Sequence, residues 1–324
     1  MKTYLIASLT AFVLSAAFTR LLLPVLKKLK AGQNILCYVK EHAKKAGTPT
    51  MGGLAFISAA FICACLFVKE PDGKFIVALS LGLAYAAVGF LDDLLKIRRK
   101  DNLGLKAYQK IIFQGAAAIL AGVFCYRAGL TFCRIPFTKN SVNFRAWMIP
   151  FAAFVFVALV NAVNLTDGLD GLASGASAAY FLSFGVMIAL QSANSSENGA
   201  KNPLALLCFV LAASICGFLL FNAFPASVFM GDTGSLSLGG FAACAAVFSG
   251  NALYAPIVGI MFVVSVITVI MQVIYYKATK GRRIFLMAPY HHHLQKKGYS
   301  ECKISYAYAV ITAAAGLLCI LSAV

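Results

Sequence analysis

Long apolar stretches separated by short polar segments recur along all 324 residues. A helix that crosses the hydrocarbon layer of a bilayer needs about 17–25 apolar residues. Runs of that kind occupy 4–26, 51–68, 75–95, 111–126, 147–163, 172–190, 203–221, 236–250, 254–276 and 304–324. The pattern predicts an all-α polytopic integral membrane protein with about ten transmembrane helices, residues 1–324 forming one domain. The fourth and eighth runs are short, so their helices are expected to extend into the adjoining polar sequence. No internal repeat of helix pattern stands out, which weighs against a transporter built from inverted repeats. The first run continues past Pro24 to a basic flank with no small-residue cleavage site, and is expected to be a retained span.

Composition agrees: 61% of residues are hydrophobic and 12% charged, against about 25% charged in soluble domains. The formal charge is +17, and its distribution is uneven. Segments 27–50, 96–110 and 277–303 carry nineteen Lys and Arg, whereas the other loops and the N-terminus carry eight. The positive-inside rule places the first three segments in the cytoplasm and both termini outside. Basic loops facing anionic lipid account for the charge without nucleic acid. The cysteines lie mostly inside apolar runs (Cys63, Cys65, Cys208, Cys216, Cys244, Cys319) and show no CxxC pair, so they read as small reduced core residues.

Eleven acidic residues serve the whole chain, and five of them (Asp92, Asp93, Asp167, Asp170 and Asp232) sit in three short segments beside these runs. A carboxylate at such depth costs at least ~2.5–3.5 kcal/mol on insertion scales, so the five imply chemistry or ion traffic. All three segments fall on the basic side, as does His291-His292-His293. Ion pathways usually hold their carboxylates near the bilayer midplane. Acids gathered at one face read instead as an active site open to the cytoplasm.

Each motif has a functional and an ordinary reading. Asp92 and Asp93 are adjacent, so on a helix they diverge by ~100° and do not easily serve one ion together. One is expected to face substrate and the other a lysine or a metal's outer shell; the ordinary alternative is a solvated helix-end pair answered by Lys96. Asn161, Asn164, Asp167 and Asp170 recur at i+3 and form one polar stripe if helical, or an Asx-rich turn between two spans. Neither this segment nor the one around Asp232 contains a Lys or Arg, so their acids need partners from elsewhere. A lone, positioned Asp232 suits Mg²⁺, which completes its shell with water and phosphate oxygens. Phe229 either stacks on a base or anchors at the membrane interface. Thr48 and Pro49 read as the cap and first turn of a helix, whose N-terminus, with Lys44 and Lys45 nearby, attracts a lipid or substrate phosphate. The three histidines fan out on a helix and cannot share one tetrahedral ion. They can donate hydrogen bonds to phosphate oxygens, with Arg282 and Arg283 adding positive charge.

Taken together, Gly47–Gly53, Asp92-Asp93, Asn161–Gly171, Val228–Gly240 and Met287–Leu294 resemble, in order, the motif set of the bacterial phospho-N-acetylmuramoyl-pentapeptide transferases. These belong to a wider superfamily that moves sugar-1-phosphates from UDP-sugars to polyprenyl phosphate. The run His291–His293 after Ala288-Pro289 resembles the muramoyl branch rather than the N-acetylglucosamine-1-phosphate branch. Tyr290 and Phe224 stand where other residues are common in the family. The resemblance implies a ten-helix fold, a homodimer, Mg²⁺ and a cytoplasmic active site in the bacterial inner membrane. Its substrates would be UDP-MurNAc-pentapeptide and undecaprenyl phosphate, with UMP and lipid I as products.

Carried over residue by residue, the resemblance makes Asp92, Asp93, Asp232, His291 and His292 catalytic residues, with Asp232 the Mg²⁺ ligand. Lys45, Asn164, Asp167, Asp170, Asn222 and Phe229 would hold the nucleotide, and His291, His292 and His293 the sugar-phosphate side. Asp92 and Asp93 would meet the lipid phosphate, with Thr50, Lys110 and Gln272 as further substrate contacts. A phosphate monoester has a second pKa near ~6, so the acceptor is largely a dianion and a base at Asp92 gains little beyond orientation. A covalent phosphoaspartate route is the alternative mechanism. The lipid tail requires an apolar groove beside the site, for which the ninth span, with Pro256 and Gln272, is the expected wall. A UDP-N-acetylglucosamine phosphotransferase and a cation-coupled transporter are the competing functions.

Overall fold

A computed structural model describes residues 2–29, 47–99, 104–195 and 202–323. Helices dominate: α1 (Lys2–Lys28), α2 (Gly53–Phe67), α3 (Gly73–Arg99), α4 (Ala107–Arg127), α5 (Met148–Thr166), α6 (Leu172–Ser195), α7 (Pro203–Asn222), α8 (Gly231–Phe248), α9 (Ala255–Val258), α10 (Ile260–Ala278), α11 (Tyr290–Lys296) and α12 (Glu301–Ala323). Each of the ten apolar runs is helical, as a lipid environment demands of any segment whose backbone must be satisfied internally. Among the described residues, eight helices are long and apolar enough to cross a membrane, and Gly53–Phe67 is a shorter apolar helix. The ninth run is interrupted at Gly259, where α9 gives way to α10. A small antiparallel hairpin, β1 (Phe132–Arg134) with β2 (Ser141–Asn143), joins α4 to α5 and pairs Phe132 with Asn143.

The helix that organises the bundle is α8. Every residue from Thr233 to Phe248 is buried, and the packing rests on small side chains that let backbones approach. A Cβ at Gly239 would strike the Val160 backbone of α5, one at Gly240 the Tyr85 ring of α3, and one at Gly53 the backbone of Gly234. Gly89 of α3 likewise has no room for a side chain against Asp232 and Thr233. Because α8 meets protein on every face, its first turn tolerates Gly, Asp, Thr and Ser. That is why the apolar run at 236–250 starts one turn after the helix does. The fourth helix also begins earlier than its run, at Ala107 rather than 111.

Local signals explain other boundaries. Asn202 caps α7 by accepting from Leu204 and Ala205 N–H, with Pro203 opening the helix. The expected start at Thr48-Pro49 is not observed: α2 begins at Gly53. Residues 49–53 instead pair with 228–230, Pro49 O accepting from Phe229 N at 2.8 Å and the N–H groups of Gly52 and Gly53 donating to Phe229 O and Met230 O. Met51 adopts φ 70° in this crossing. A backbone already bonded to another segment cannot also wind into a helix.

α1 runs alongside α7, and α12 alongside α6, each pair parallel, through contacts of Tyr4 with Asn202, Gly217 with Phe12, and Gly316 with Ser183. The first residue of α1, Lys2, and the last of α12, Ala323, therefore lie at the end of the bundle opposite Asp92 and Asp232. Six of the described cysteines are buried and free, while Cys65, Cys216 and Cys302 are exposed rather than in the core.

Candidate active site

Asp93, near the C-terminal end of the third helix, caps the start of the eighth. One of its carboxylate oxygens accepts from Asp232 N–H at 3.1 Å, and the other from Thr233 N–H at 2.9 Å and the Thr233 hydroxyl at 2.7 Å. These are N–H groups of the first turn of α8, which has no side-chain cap of its own. Gly231 turns into that helix at φ 72°, leaving no room for a Cβ beside Asp93 and the Thr50 hydroxyl. Asp93 is 2% exposed, so its charge is spent on holding the α8 N-terminus in place.

Asp232, delivered by that N-terminus, is where four helices converge. Its Oδ2 accepts from Lys110 of α4 at 2.6 Å and from Lys96 of α3 at 3.1 Å. Its Oδ1 accepts from the Asn164 amide of α5 at 2.9 Å, and the same amide donates to Ser235 at 2.8 Å. The two lysines also grip Asp92, Lys96 at 2.7 Å and Lys110 at 3.0 Å. Two ammonium groups thus balance two carboxylates, the arrangement that makes ions tolerable in a protein interior. For Asp232 the expected partners from elsewhere are these lysines, and the role of Lys96 extends beyond answering Asp92.

The adjacent acids do diverge, yet both reach the same place. Ligand atoms of Asp92, Asp93 and Asp232 all lie within 4.8 Å of one another, a set that could hold a metal ion. Adjacent on α3 and diverging, Asp92 and Asp93 nevertheless each bring a carboxylate oxygen close to Asp232. Asp92 is wholly buried, with Leu105 N–H donating to its Oδ1 at 2.7 Å and Gly104 packed against the carboxylate. Asp232 is the more open of the two ion-paired acids, its side chain 15% exposed.

The predicted polar stripe is helical only in part. α5 ends at Thr166, so Asn161 and Asn164 share a helix face while Asp167 and Asp170 belong to the turn that follows. Asp167 is half-buried, and no hydrogen bond to its carboxylate is found among the described residues. Burial, reinforced by the negative charge of Asp232, pushes its pKa up to about 8. Asp170 is buried and accepts from Ala226 N–H at 2.9 Å. Asn222 is buried as well, donating to Val228 O and accepting from Ser174. Both residues tie down the 223–230 loop, which carries the half-buried Phe229 to the rim of the site. Thr50, 5% exposed, lies beside Gly231. Lys44 and Lys45 lie outside the described residues.

The histidine run forms the short helix α11 and fans out as its spacing requires. His291 is buried, and a Cβ at Gly168 would meet both its ring and that of His292, which places these two histidines against the Asp167 turn. His292 contacts Gln295 at 3.3 Å, and Gln295 donates to Glu301. His293 points away: its Nδ1 accepts from Leu286 N–H, and its ring stacks on Tyr290. Burial and the nearby Lys297 lower its pKa. Gln272 of α10 accepts from Ile284 and Phe285 N–H and donates to Phe285 O, so it too holds the 284–286 segment. A groove of about 630 Å³ runs beside it, lined by Val269, Val273, Tyr276, Lys277, Arg283 and Leu286 among others. Pro256, in α9, does not line it.

Lys96, Ser235 and Thr233 were not singled out as site residues from the sequence. For Lys96 a signal existed, since it stands four residues after Asp92, but a lysine at a helix end is ordinary. Nothing local marks Thr233 or Ser235.

Comparison with known proteins places this geometry in context. The profile of glycosyl transferase family 4 matches residues 75–250, and the phospho-N-acetylmuramoyl-pentapeptide-transferase signature 1 matches residues 45–57. The chain is 42% identical over 307 residues to a phospho-N-acetylmuramoyl-pentapeptide-transferase of Clostridium perfringens (strain 13 / Type A), covering 94% of each chain. Proteins of the same name from Thermoanaerobacter sp. (strain X514) and Clostridium kluyveri (strain NBRC 12016) are 42% identical over 314 residues and 40% identical over 310, covering 96% and 94% of each chain.

Proposed function

The chain belongs to the phospho-N-acetylmuramoyl-pentapeptide-transferase family, and on that premise we propose that it transfers phospho-MurNAc-pentapeptide from its UDP carrier to undecaprenyl phosphate, forming lipid I. The observation that carries this reading is the meeting of Lys96, Lys110, Asn164 and Asp92 at Asp232. In the reaction a lipid-phosphate oxygen bonds to the sugar-linked phosphorus, the bond from that phosphorus to the bridging oxygen breaks, and UMP leaves with the electron pair. Negative charge crowds one point, so the protein's work is positioning and neutralisation.

Lys96 and Lys110 supply two mobile point charges for the phosphate oxygens. Asp92, buried behind both lysines, orients them; the acceptor, a dianion once its second pKa near ~6 is passed, needs no further base. Three carboxylates are hard oxygen donors of the kind Mg²⁺ takes, and Asp232, the most accessible, is its assigned ligand. A bound Mg²⁺ would supply positive charge against the diphosphate. Asp93 keeps α8, and with it Asp232, in register. Asn164, Asp167, Phe229 and Thr50 line the nucleotide side, Lys45 is proposed to bind the same nucleotide, and Asp170 and Asn222 shape the loop that presents Phe229. His291 and His292 lie toward the sugar phosphate, and His293 and Gln272 hold the neighbouring segment. The groove along α10 takes the polyprenyl tail, and its Lys277 and Arg283 suit an anionic lipid. The site faces the cytoplasm from the bacterial inner membrane with both termini outside, and the chain works as a homodimer.

Purified protein incubated with Mg²⁺, undecaprenyl phosphate and either UDP-MurNAc-pentapeptide or UDP-N-acetylglucosamine is expected to release UMP from the first. By analogy with losing one charge-stabilising group, Asp232→Asn should lower kcat about 10²–10³-fold. Wild-type turnover by that variant would sink the Asp232 assignment, and equal use of the two sugars would sink the muramoyl specificity.

A further inference from the structure

Below the ion cluster, three helices meet at a polar node that no step of the transfer uses. Gln114 of α4 is 1% exposed, and its Oε1 accepts from the Asn161 amide of α5 at 2.8 Å. Both N–H groups of that amide are engaged, since it also donates to Val157 O at 2.8 Å. Tyr85 of α3, wholly buried, donates its hydroxyl to Gln114 O at 3.1 Å while its ring lies against Gly240 of α8. The node therefore joins α3, α4 and α5 around α8.

We infer that Gln114 and Asn161 are positioning residues that set the register in which Lys110 and Asn164 reach Asp232. Gln114 stands four residues after Lys110, and Asn161 three before Asn164, so each amide lies one turn from a side chain that bonds Asp232, on the same helix face. Tyr85 stands two turns before Asp92 on α3. A slide of one residue between α4 and α5 would be about 1.5 Å along the axis. That is enough to separate Lys110 from Asp232, now 2.6 Å apart. Apolar packing resists such a slide weakly, because lipid and leucine are alike in solvent quality and helix surfaces of similar shape offer several registers. A directional amide pair has one register. Asn161, with both donors engaged, has little freedom to follow a displaced partner.

This inference rests on the transfer reading for its kinetic arm but not for its chemical one. The variants are Gln114→Leu, Asn161→Leu and the exchange Gln114→Asn with Asn161→Gln, which preserves the pair and the summed side-chain length. In each single variant kcat should fall about 10–100-fold, the cost of an ångström-scale misplacement, with KM for the UDP substrate within about twofold. Reductive methylation read by mass spectrometry should label Lys110 faster, and Lys96 at the wild-type rate because Asp92 still holds it at i+4. The exchange variant should recover most of both properties. A folded single variant with wild-type kcat, a rise in KM in place of the fall in kcat, or unchanged Lys110 labelling overturns the inference. Should the leucine variants not fold, Tyr85→Phe removes one hydroxyl only; it should lower kcat and speed Lys110 labelling, and wild-type values for both overturn the inference. If the wild-type protein shows no transfer while Lys110 labelling still responds to the node, the transfer reading fails and the node stands.

Discussion

Asp93→Asn separates an acid that holds a helix from one that touches the reactants. In the wild-type chain the Asp93 carboxylate accepts three hydrogen bonds from the start of α8, two from backbone N–H and one from the Thr233 hydroxyl. Asparagine keeps one acceptor oxygen and sets an NH₂ group against a donor. Leaving one buried donor unsatisfied costs about 1–3 kcal/mol, and removing the negative charge from a helix N-terminus adds about 0.3–1 kcal/mol. The sum is about 1.3–4 kcal/mol. With an unfolding entropy of about 2.1 cal/mol/K per residue over 324 residues, the thermal midpoint should drop by about 2–6 °C. Because the same turn carries Asp232, a shift of about 1 Å there should also lower kcat about 10²-fold. Thr233→Val keeps both backbone bonds and loses only the hydroxyl, so it should lower the midpoint while retaining most activity. The assays are thermal unfolding of the purified protein in detergent and UMP release on the same samples. Lost activity with an unmoved midpoint in Asp93→Asn would refute the capping argument and return Asp93 to the lipid phosphate.

Two further outcomes follow from the same geometry. Gly89→Ala puts a methyl group into the Asp232 backbone; overpacking of this kind costs about 1–3 kcal/mol, and UMP release should fall even where the protein still folds, whereas unchanged turnover would show that α3 and α8 need not be this close. Asp167, with its pKa pushed up to about 8 from the ordinary 3.8, keeps in the folded chain a proton that the unfolded chain loses, so its contribution to stability declines as pH rises across that window and levels off above it. Asp167→Asn has no such proton to lose, and its midpoint should gain on wild type between pH 5 and 8; parallel midpoint curves would contradict the shift.

How much of this was legible in the sequence depends on whether the governing physics is local. Helix positions were, because in lipid a run of apolar residues has no option but to satisfy its backbone internally. The five costly carboxylates were, because the penalty of placing an acid beside hydrocarbon is paid residue by residue. What failed were readings whose answer lies elsewhere in the chain. Thr48 and Pro49 look like a helix start until Phe229, some 180 residues on, claims their backbone. The i+3 spacing from Asn161 to Asp170 left a helical stripe and an Asx-rich turn both open, and only the tertiary contacts decide between them: the helix stops at Thr166 and Asp170 turns to Ala226. The polar first turn of α8 hid the start of a helix that touches no lipid, because a span buried among other spans is released from the hydropathy that identifies it. The division of labour between Asp92, Asp93 and Asp232 is of the same kind. All three bear the same insertion cost, but its compensation is tertiary: lysines 4 and 18 residues away for Asp92, a helix N-terminus 139 residues away for Asp93. A sequence can therefore show that an acid is too expensive to be idle, while the identity of its partner decides whether it holds the fold or meets the substrate. Asp93, which the motif would rank beside Asp92 as a reacting group, is assigned to the first role by its partners alone.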